Sequence, residues 1–141
     1  MVPALLCVAA GSFSVAIYAP RFTLSWEHSI EHVEWRETWR VHTKTMRIVE
    51  ARIKGTGAGM EPPKDAVLKD GWFVYVPKVR PQTRLVMPDS AYAKPMRLCL
   101  PGDKCRPIRA FLPREAPRDA PVILTLEDEK GCRPQPDGTP R

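Results

Sequence analysis

Histidine and glycine are scarce in this sequence while proline is abundant, and these proportions restrict both the fold and the chemistry. The 141 residues contain 3 His, 8 Gly and 16 Pro. Proline lacks a backbone donor and breaks helix interiors, so the prolines from Pro20 onward leave little room for long helices. The G-x-S-x-G motif that positions a hydrolase nucleophile is also missing from the sequence. The abundance of proline argues against an all-α protein, and the missing nucleophile motif argues against a hydrolase.

Charge is missing from the segment Val2–Ala19, which is apolar or small throughout. An export signal normally begins with a basic region and ends at a small-residue cleavage site, and neither is clear here. Pro3 and the Gly11–Ser12 pair interrupt the segment, which makes it a poor membrane span. We therefore expect two strands separated by a turn at Gly11–Ser12, with a degenerate export signal as the alternative.

Clustering of the basic residues is also missing, although the formal net charge is +6 and the pI is about 9.4. Lys and Arg are interspersed with Glu, as in EWRETWR and RIVEARIK, and the densest basic run, KVRPQTR, is short. A nucleic-acid-binding protein normally gathers its cations in one run or on one face. The sequence therefore predicts a solvated basic surface and no nucleic-acid partner.

What the sequence does contain is a period-two alternation typical of strands with one wet face. Phe22, Leu24 and Trp26 alternate with polar residues, and the segment 33–41 continues the pattern. Further short apolar runs, bounded by Pro, Gly or Asp, are GWFVYV, TRLVM, MRLCL, CRPIRAFL and PVILTLE. Only residues 64–70, KDAVLKD, are compatible with a helical turn or two. We predict an all-β fold, a small antiparallel β-sandwich or barrel-like sheet with little helix.

The length and composition fit one folded domain flanked by shorter segments. Residues 1–20 form the apolar N-terminal segment, which is either the strand pair or the degenerate signal. Residues 21–112 form the predicted β-rich core domain. Residues 113–141 form a Pro-rich extension with one strand-like run and an end predicted to be disordered unless Cys132 is bonded.

The four cysteines suggest an oxidising compartment. Cys99 and Cys105 flank LPGDK, a strong turn sequence between two apolar runs, so the two thiols are predicted to lie near each other across a hairpin. They are a disulfide candidate if their side chains face the same way. Cys7 and Cys132 lie near opposite ends of the sequence and are able to tie the termini together. An even cysteine count with one close pair favours an oxidising compartment.

A zinc-peptidase spacing, H-x-x-E-H, occurs at His28, Glu31 and His32. In such enzymes the two histidines lie on a helix and converge on one ion. Here the flanking sequence alternates as strands, and no third ligand is evident. An alternative structural site that adds Cys99 and Cys105 has a C-x5-C spacing, which is wider than the usual zinc knuckle. We expect no metal.

A glycine-rich loop, GTGAGMEPP, follows the predicted strand that ends near Lys54. A dinucleotide fingerprint needs a glycine where Met60 stands and a helix where two prolines follow. Alternate glycines instead favour a tight loop with exposed backbone amides, which is able to bind an anion or a partner.

Three stretches in this order, FTLSWEHSIEHVEWRETWRV, RIKGTGAGMEPP and GWFVYVP, resemble a bacterial domain-of-unknown-function family, DUF1850. The resemblance runs from about Phe22 to about Leu112. Members of that family are typically encoded beside, or fused to, TRAP-type solute transporters of the TAXI group. The resemblance therefore implies a small accessory to the uptake of organic acids or similar solutes, either periplasmic or membrane-associated.

The resemblance implies a non-enzymatic interaction protein with no catalytic residue, no cofactor and no transmembrane helix of its own. Its expected partner is a TRAP membrane subunit or a solute-binding protein. The alternative is a free-standing domain that binds a small ligand or an anion. The residues expected to bind or to contact a partner are His28, Ser29, Glu31, Glu37, Gly55, Gly57, Gly59, Met60 and Glu61.

Overall fold

The computed structural model describes residues 5–27, 32–55, 63–87, 96–102, 104–128 and 131–132 of the chain. The strands are β1 (Leu5–Ala10), β2 (Phe13–Tyr18), β3 (Arg21–Glu27), β4 (Glu34–His42), β5 (Thr45–Lys54), β6 (Val67–Lys69), β7 (Trp72–Tyr75), β8 (Arg84–Val86), β9 (Arg97–Leu100), β10 (Lys104–Pro107) and β11 (Ile123–Leu126). A single turn of 3₁₀ helix, Ile108–Phe111, follows β10. The predicted all-β class is confirmed.

The strands form two antiparallel sheets that pack as a sandwich. The small sheet has the order β2-β1-β11-β8, and the large sheet has the order β10-β9-β3-β4-β5-β7-β6. The predicted strand pair on either side of Gly11–Ser12 is present as β1 and β2 of the small sheet. Residues of β1 and β11, far apart in the sequence, are direct neighbours in that sheet, as Cys7 and Thr125 show.

Apolar side chains of both sheets meet in one buried cluster. Phe22 and Leu24 of β3 and Trp39 of β4 belong to it, together with Leu6 and Leu124 of the small sheet. The large sheet thus has an inner face on this cluster. Its outer face carries the alternating polar residues, among them Thr23, Ser25, Glu34, Arg36 and Thr38. The period-two pattern of the sequence therefore distinguishes the inner from the outer face of β3 and β4.

A β-bulge interrupts the alternation in β5. The pairing of β4 with β5 shifts between Thr38 and Trp39, so that Ile48 and Ala51 both point inward although they are three residues apart. The extra residue of a bulge changes which side chains face outward beyond it. As a result, Arg47 on one side of the bulge and Arg52 on the other both lie on the outer face.

Residues 64–70, the one segment whose sequence is compatible with a helical turn, do not form a helix. Val67–Lys69 forms β6, which pairs with β7 through a tight turn at Asp70 and Gly71. Both turn residues have positive φ, 51° and 84°, the combination of a type I′ hairpin turn. The Asp-Gly pair therefore determines the local structure more strongly than the helix-compatible residues before it.

The run CRPIRAFL is only in part the strand that its apolar residues suggest. β10 ends at Pro107, and the 3₁₀ turn that follows places Ile108 and Leu112 in the buried cluster. Proline cannot donate to a sheet ladder, so the strand ends where Pro107 stands.

Two disulfides connect the cysteines, Cys7 with Cys132 and Cys99 with Cys105. Cys99 and Cys105 are direct register partners on β9 and β10, as the hairpin reading of the sequence required. Cys7 is fully buried in β1, so its bond joins the segment around Cys132 to the centre of the small sheet. Among the described residues, no helix has the length and apolar character needed to cross a membrane.

Candidate functional site

Four strands of the large sheet begin or finish at the same end of the sheet, which we call the loop end. β3 finishes there at Glu27, β4 starts at Glu34 and β5 finishes at Lys54. The pairing of Ser25 with Arg97 adds the first residue of β9 to the same end. Glu27 and His32, which flank segment 28–31, and Gly55, which precedes segment 56–62, also lie there. These two segments carry most of the residues that the sequence singled out.

Two of the nine predicted contact residues belong to the part of the chain that the structure describes. Gly55 lies at the loop end directly after β5, whereas Glu37 lies on the inner face of β4. The other seven lie outside the described residues: His28, Ser29, Glu31, Gly57, Gly59, Met60 and Glu61.

An open cavity of about 460 Å³ occupies the loop end. Its charged lining residues are Glu27, Glu34, Lys54 and Arg97, together with His32. The cavity therefore presents cations and carboxylates side by side at the place where the two motif-bearing segments leave the sheet. Such a surface suits a polar ligand or a charged protein partner better than an apolar molecule.

Glu34 is fixed by several hydrogen bonds at the rim of this cavity. It accepts a hydrogen bond of 2.6 Å from Arg36 Nε and one of 3.1 Å from the hydroxyl of the buried Ser25. Burial opposes ionisation of Glu34, but Arg36, the Ser25 hydroxyl and the charge of Lys54 together hold its pKa below the usual value. Glu34 is therefore an ionised, positioned carboxylate at neutral pH.

Trp72 makes cation–π contacts with two basic side chains beside the cavity. The Arg36 guanidinium lies 5.7 Å and the Lys54 ammonium 5.3 Å from the centre of its ring. Cation–π contacts of this kind restrict the side chains that make them. The network thus orders Arg36 and Lys54, so that charges at the loop end have defined positions.

His32 begins the described chain after the segment 28–31 and stands at the mouth of the cavity. Its Nδ1 lies 3.1 Å from a carboxylate oxygen of Glu27, and its backbone has a positive φ of 54°. Cys99 and Cys105 are bonded to each other and offer no thiolate to the alternative zinc site. Among the described residues, no group of three or more potential ligands is placed to hold a metal.

On the opposite face of the same strands, aromatic side chains support the loop end from the inside. The rings of Trp26 and Trp35 are stacked with their centres 6.0 Å apart. Trp39, further along β4, is buried in the core cluster. The three tryptophans therefore pack against other side chains, and of the polar residues between Trp35 and Trp39, Arg36 and Thr38 face outward whereas Glu37 faces inward.

Glu37 lies half-buried on the inner face, two strands away from Tyr75 in the same cross-strand row. Burial raises the pKa of the Glu37 carboxyl above its usual value of 4.5. Burial, followed by the charges of Glu37 and Asp65, raises the pKa of Tyr75. Glu37 is therefore a carboxylate whose ionisation the fold opposes, unlike Glu34.

This contrast predicts opposite effects of pH for two matched variants. Below about pH 4.5 the Glu37 carboxyl is protonated in the folded and unfolded states alike. As the pH rises, the unfolded chain loses the proton first, so the wild-type protein loses stability. Glu37→Gln should therefore raise the free energy of unfolding at pH 7 and have little effect near pH 4. Urea unfolding at both pH values measures this.

Glu34→Gln provides the control with the opposite sign. Because the pKa of Glu34 is lowered on folding, its charge stabilises the protein at neutral pH, and that contribution disappears as the pH falls. The variant should be less stable than the wild type at pH 7, by an amount that shrinks in acid. A Glu37→Gln variant that is less stable than the wild type at pH 7 would contradict the placement of Glu37.

Sequence reasoning missed several residues of the loop end. Arg97 comes from a strand that joins β3 across a long sequence separation, and no local motif marks it. Lys54 and Trp72 are register partners across β5 and β7. The only available signal was the position of Lys54 immediately before the glycine loop.

A family model described as a domain of unknown function, DUF1850, matches residues 22–107. This range is more than half of the 141 residues, and it includes the strands that build the loop end. No curated protein and no solved structure matches the chain. The predicted resemblance is thus confirmed, and the chain is a member of the DUF1850 family.

Proposed function

We propose that this protein is a non-enzymatic accessory of a TRAP-type solute uptake system, and that the loop end of the large sheet contacts the transporter. The observation that carries the proposal is that Glu27 and His32, which flank segment 28–31, and Gly55, which precedes segment 56–62, line one cavity at the loop end. Loops held by a rigid scaffold are where binding residues concentrate.

The electrostatics of the loop end support a protein contact. Glu34, Arg36 and Trp72 form a bonded network that fixes charges before any partner arrives. A positioned set of both signs favours one orientation of a complementary partner and disfavours others. Lys54 and Arg97 are exposed beside this network and are available to carboxylates of a partner.

The two disulfides support a location outside the reducing cytosol. A periplasmic or membrane-associated accessory meets both the solute-binding protein and the exposed loops of a transporter membrane subunit. The proposal therefore places the protein on the side of the membrane from which solute is taken up.

Charge reversal at the loop end tests the proposal. A tagged wild-type protein, purified from gently solubilised host membranes, should recover the TRAP membrane subunit or the solute-binding protein. The variant Lys54→Glu/Arg97→Glu should recover roughly tenfold less or worse, because it replaces two attractive contacts by repulsive ones. Arg114→Glu/Arg118→Glu makes the same charge change at exposed positions outside the strands and should behave like the wild type.

Either of two results would count against the proposal. One is a wild-type protein that recovers no transporter subunit under conditions in which the transporter itself stays intact. The other is equal recovery by the loop-end variant and its control, since the contact would then lie elsewhere.

A second candidate function is the binding of a small organic anion. Lys54 and Arg97 line the same cavity and are able to pair with carboxylates, which is the observation in its favour. Saturable calorimetric binding of succinate to the isolated protein, lost in Lys54→Glu/Arg97→Glu, would favour this function. Absence of succinate binding together with recovery of the transporter would favour the accessory.

A further inference from the structure

Three arginines lie side by side on the outer face of the large sheet, near the ends of the strands opposite the loop end. Arg21 of β3 is the direct partner of Arg40 on β4, and Arg40 is the direct partner of Arg47 on β5. All three side chains are exposed. We call this set the arginine row. On this face the row of Thr23 and Thr38 separates it from Ser25, which lines the cavity.

Antiparallel folding, not sequence proximity, gathers these cations. The apparent dispersal of Lys and Arg along the sequence is therefore misleading, because β3, β4 and β5 present one arginine each at the same level. Directly opposed like charges destabilise a sheet. Two such pairs, Arg21 with Arg40 and Arg40 with Arg47, occur on neighbouring strands. Their repulsion indicates that an external anion binds here.

The neighbouring arginines on the same face are compensated, and the arginine row is not. Arg36 is paired with Glu34, and Arg52 is paired with Glu50. Among the residues that the structure describes, no carboxylate lies within ion-pair distance of a member of the arginine row. The charge left on this part of the face is thus available to a ligand.

We propose that the arginine row binds the phosphate groups of an anionic phospholipid surface. Neighbouring strands are about 4.8 Å apart, so the three guanidinium groups stem from a line about 10 Å long. Guanidinium is suited to paired hydrogen bonds with phosphate oxygens. The β4–β5 turn beside the row adds the exposed His42 and Lys44. The exposed side chains of the arginine row are thus accessible to an extended anionic surface.

Two features favour a membrane over other polyanions. The two disulfides point to an oxidising compartment, where phospholipid and not nucleic acid is the usual polyanion. The second feature is that the row of residues next to Arg21 and Arg40 is polar. It consists of Thr23 and Thr38, whose hydroxyls are hydrogen-bonded to each other. A stable protein interface normally has an apolar centre, whereas binding to head groups needs only the charges.

Vesicle co-sedimentation tests the proposal with the full-length, disulfide-bonded protein. At low salt, the wild type should bind vesicles made of two parts phosphatidylcholine and one part phosphatidylglycerol, and should not bind phosphatidylcholine alone. Each arginine near an anionic surface changes affinity about fivefold, so Arg21→Gln/Arg40→Gln/Arg47→Gln should bind on the order of a hundredfold more weakly. Raising the salt concentration should release the wild type.

A charge-matched variant separates the arginine row from the net charge of the protein. Lys64→Gln/Arg114→Gln/Arg118→Gln also removes three positive charges from exposed positions, but none of them lies on a strand. It should keep most of the vesicle binding. Thermal unfolding of both variants verifies that each is folded, and relief of the repulsion should leave the arginine-row variant at least as stable as the wild type.

Three outcomes would overturn the proposal. The first is no preference of the wild type for vesicles containing phosphatidylglycerol. The second is an equal loss of binding in both triple variants, which would attribute the effect to net charge. The third is tighter binding of the wild type to polyglutamate or to duplex DNA than to the vesicles, which would assign the row to an acidic protein or a nucleic acid. The co-purification experiment with the transporter is done in detergent and involves no vesicle surface. Its outcome is therefore independent of the outcome of the vesicle experiment.

Discussion

Removal of the disulfide between Cys7 and Cys132 is expected to lower the free energy of unfolding by about 4–5 kcal/mol. The two cysteines are 125 residues apart, so the bond closes almost the whole described chain into one loop. The loss of conformational freedom that a cross-link imposes on the unfolded chain grows with the length of that loop. Replacement of both residues by alanine avoids placing a hydroxyl at position 7, which is fully buried.

The second disulfide is the internal control for this expectation. Cys99 and Cys105 are only 6 residues apart, and their register pairing already holds the hairpin. The same relation gives a loss of about 2 kcal/mol for Cys99→Ala/Cys105→Ala. Urea unfolding of both double variants in the absence of reductant provides the comparison. A greater loss from the hairpin bond than from the long-range bond would contradict the role assigned to Cys7 and Cys132.

Truncation of Phe22 is expected to have an effect of similar size, through the folded state. Phe22 is 1% exposed and belongs to the cluster that joins the two sheets. Removal of a buried phenylalanine ring costs about 3–5 kcal/mol, because transfer energy is lost and a cavity remains. Phe22→Ala should therefore lower the melting temperature by on the order of 10 °C or more. Thermal unfolding followed by circular dichroism measures the shift.

Two further variants identify the cause of that loss. Phe22→Leu keeps most of the apolar volume and should cost less than about 1.5 kcal/mol. Val67 has the same apolar character but is 64% exposed on the edge strand β6, so Val67→Ala should change stability by less than about 0.5 kcal/mol. If Phe22→Ala were as mild as Val67→Ala, the inner face of β3 would not form the centre of the sandwich.

The fold was predictable from the sequence to the extent that its determinants are local. Alternation in 21–27 and 34–42 identifies two strands and their inner faces, and Gly11–Ser12 identifies the first turn. The bulge in β5 was not predictable, since it depends on how Thr38 and Trp39 pair with a neighbouring strand. The helical reading of residues 64–70 failed because the Asp70–Gly71 turn forms a hairpin that overrides local preference.

The candidate sites show the same division between local and long-range information. The glycine loop and the H-x-x-E-H segment are sequence motifs, but only strand order brings the described residues beside them, Glu27, His32 and Gly55, to the same end of the large sheet. Arg97 joins the cavity through the pairing of β9 with β3. The arginine row arises from three strands, and no run of basic residues announces it. Long-range pairing is the physical reason that sequence patterns alone did not reveal these surfaces.

The most direct test of the central claim is site-specific photo-crosslinking in host membranes. A photoreactive phenylalanine derivative at Val33, which lines the cavity at the loop end, is compared with the same group at Lys44, in the exposed β4–β5 turn at the other end of these strands. We expect a cross-link from position 33, and none from position 44, to a TRAP transporter subunit or its solute-binding protein. A cross-link to the transporter from position 44 alone, or none from either position while the protein is folded, would contradict the central claim.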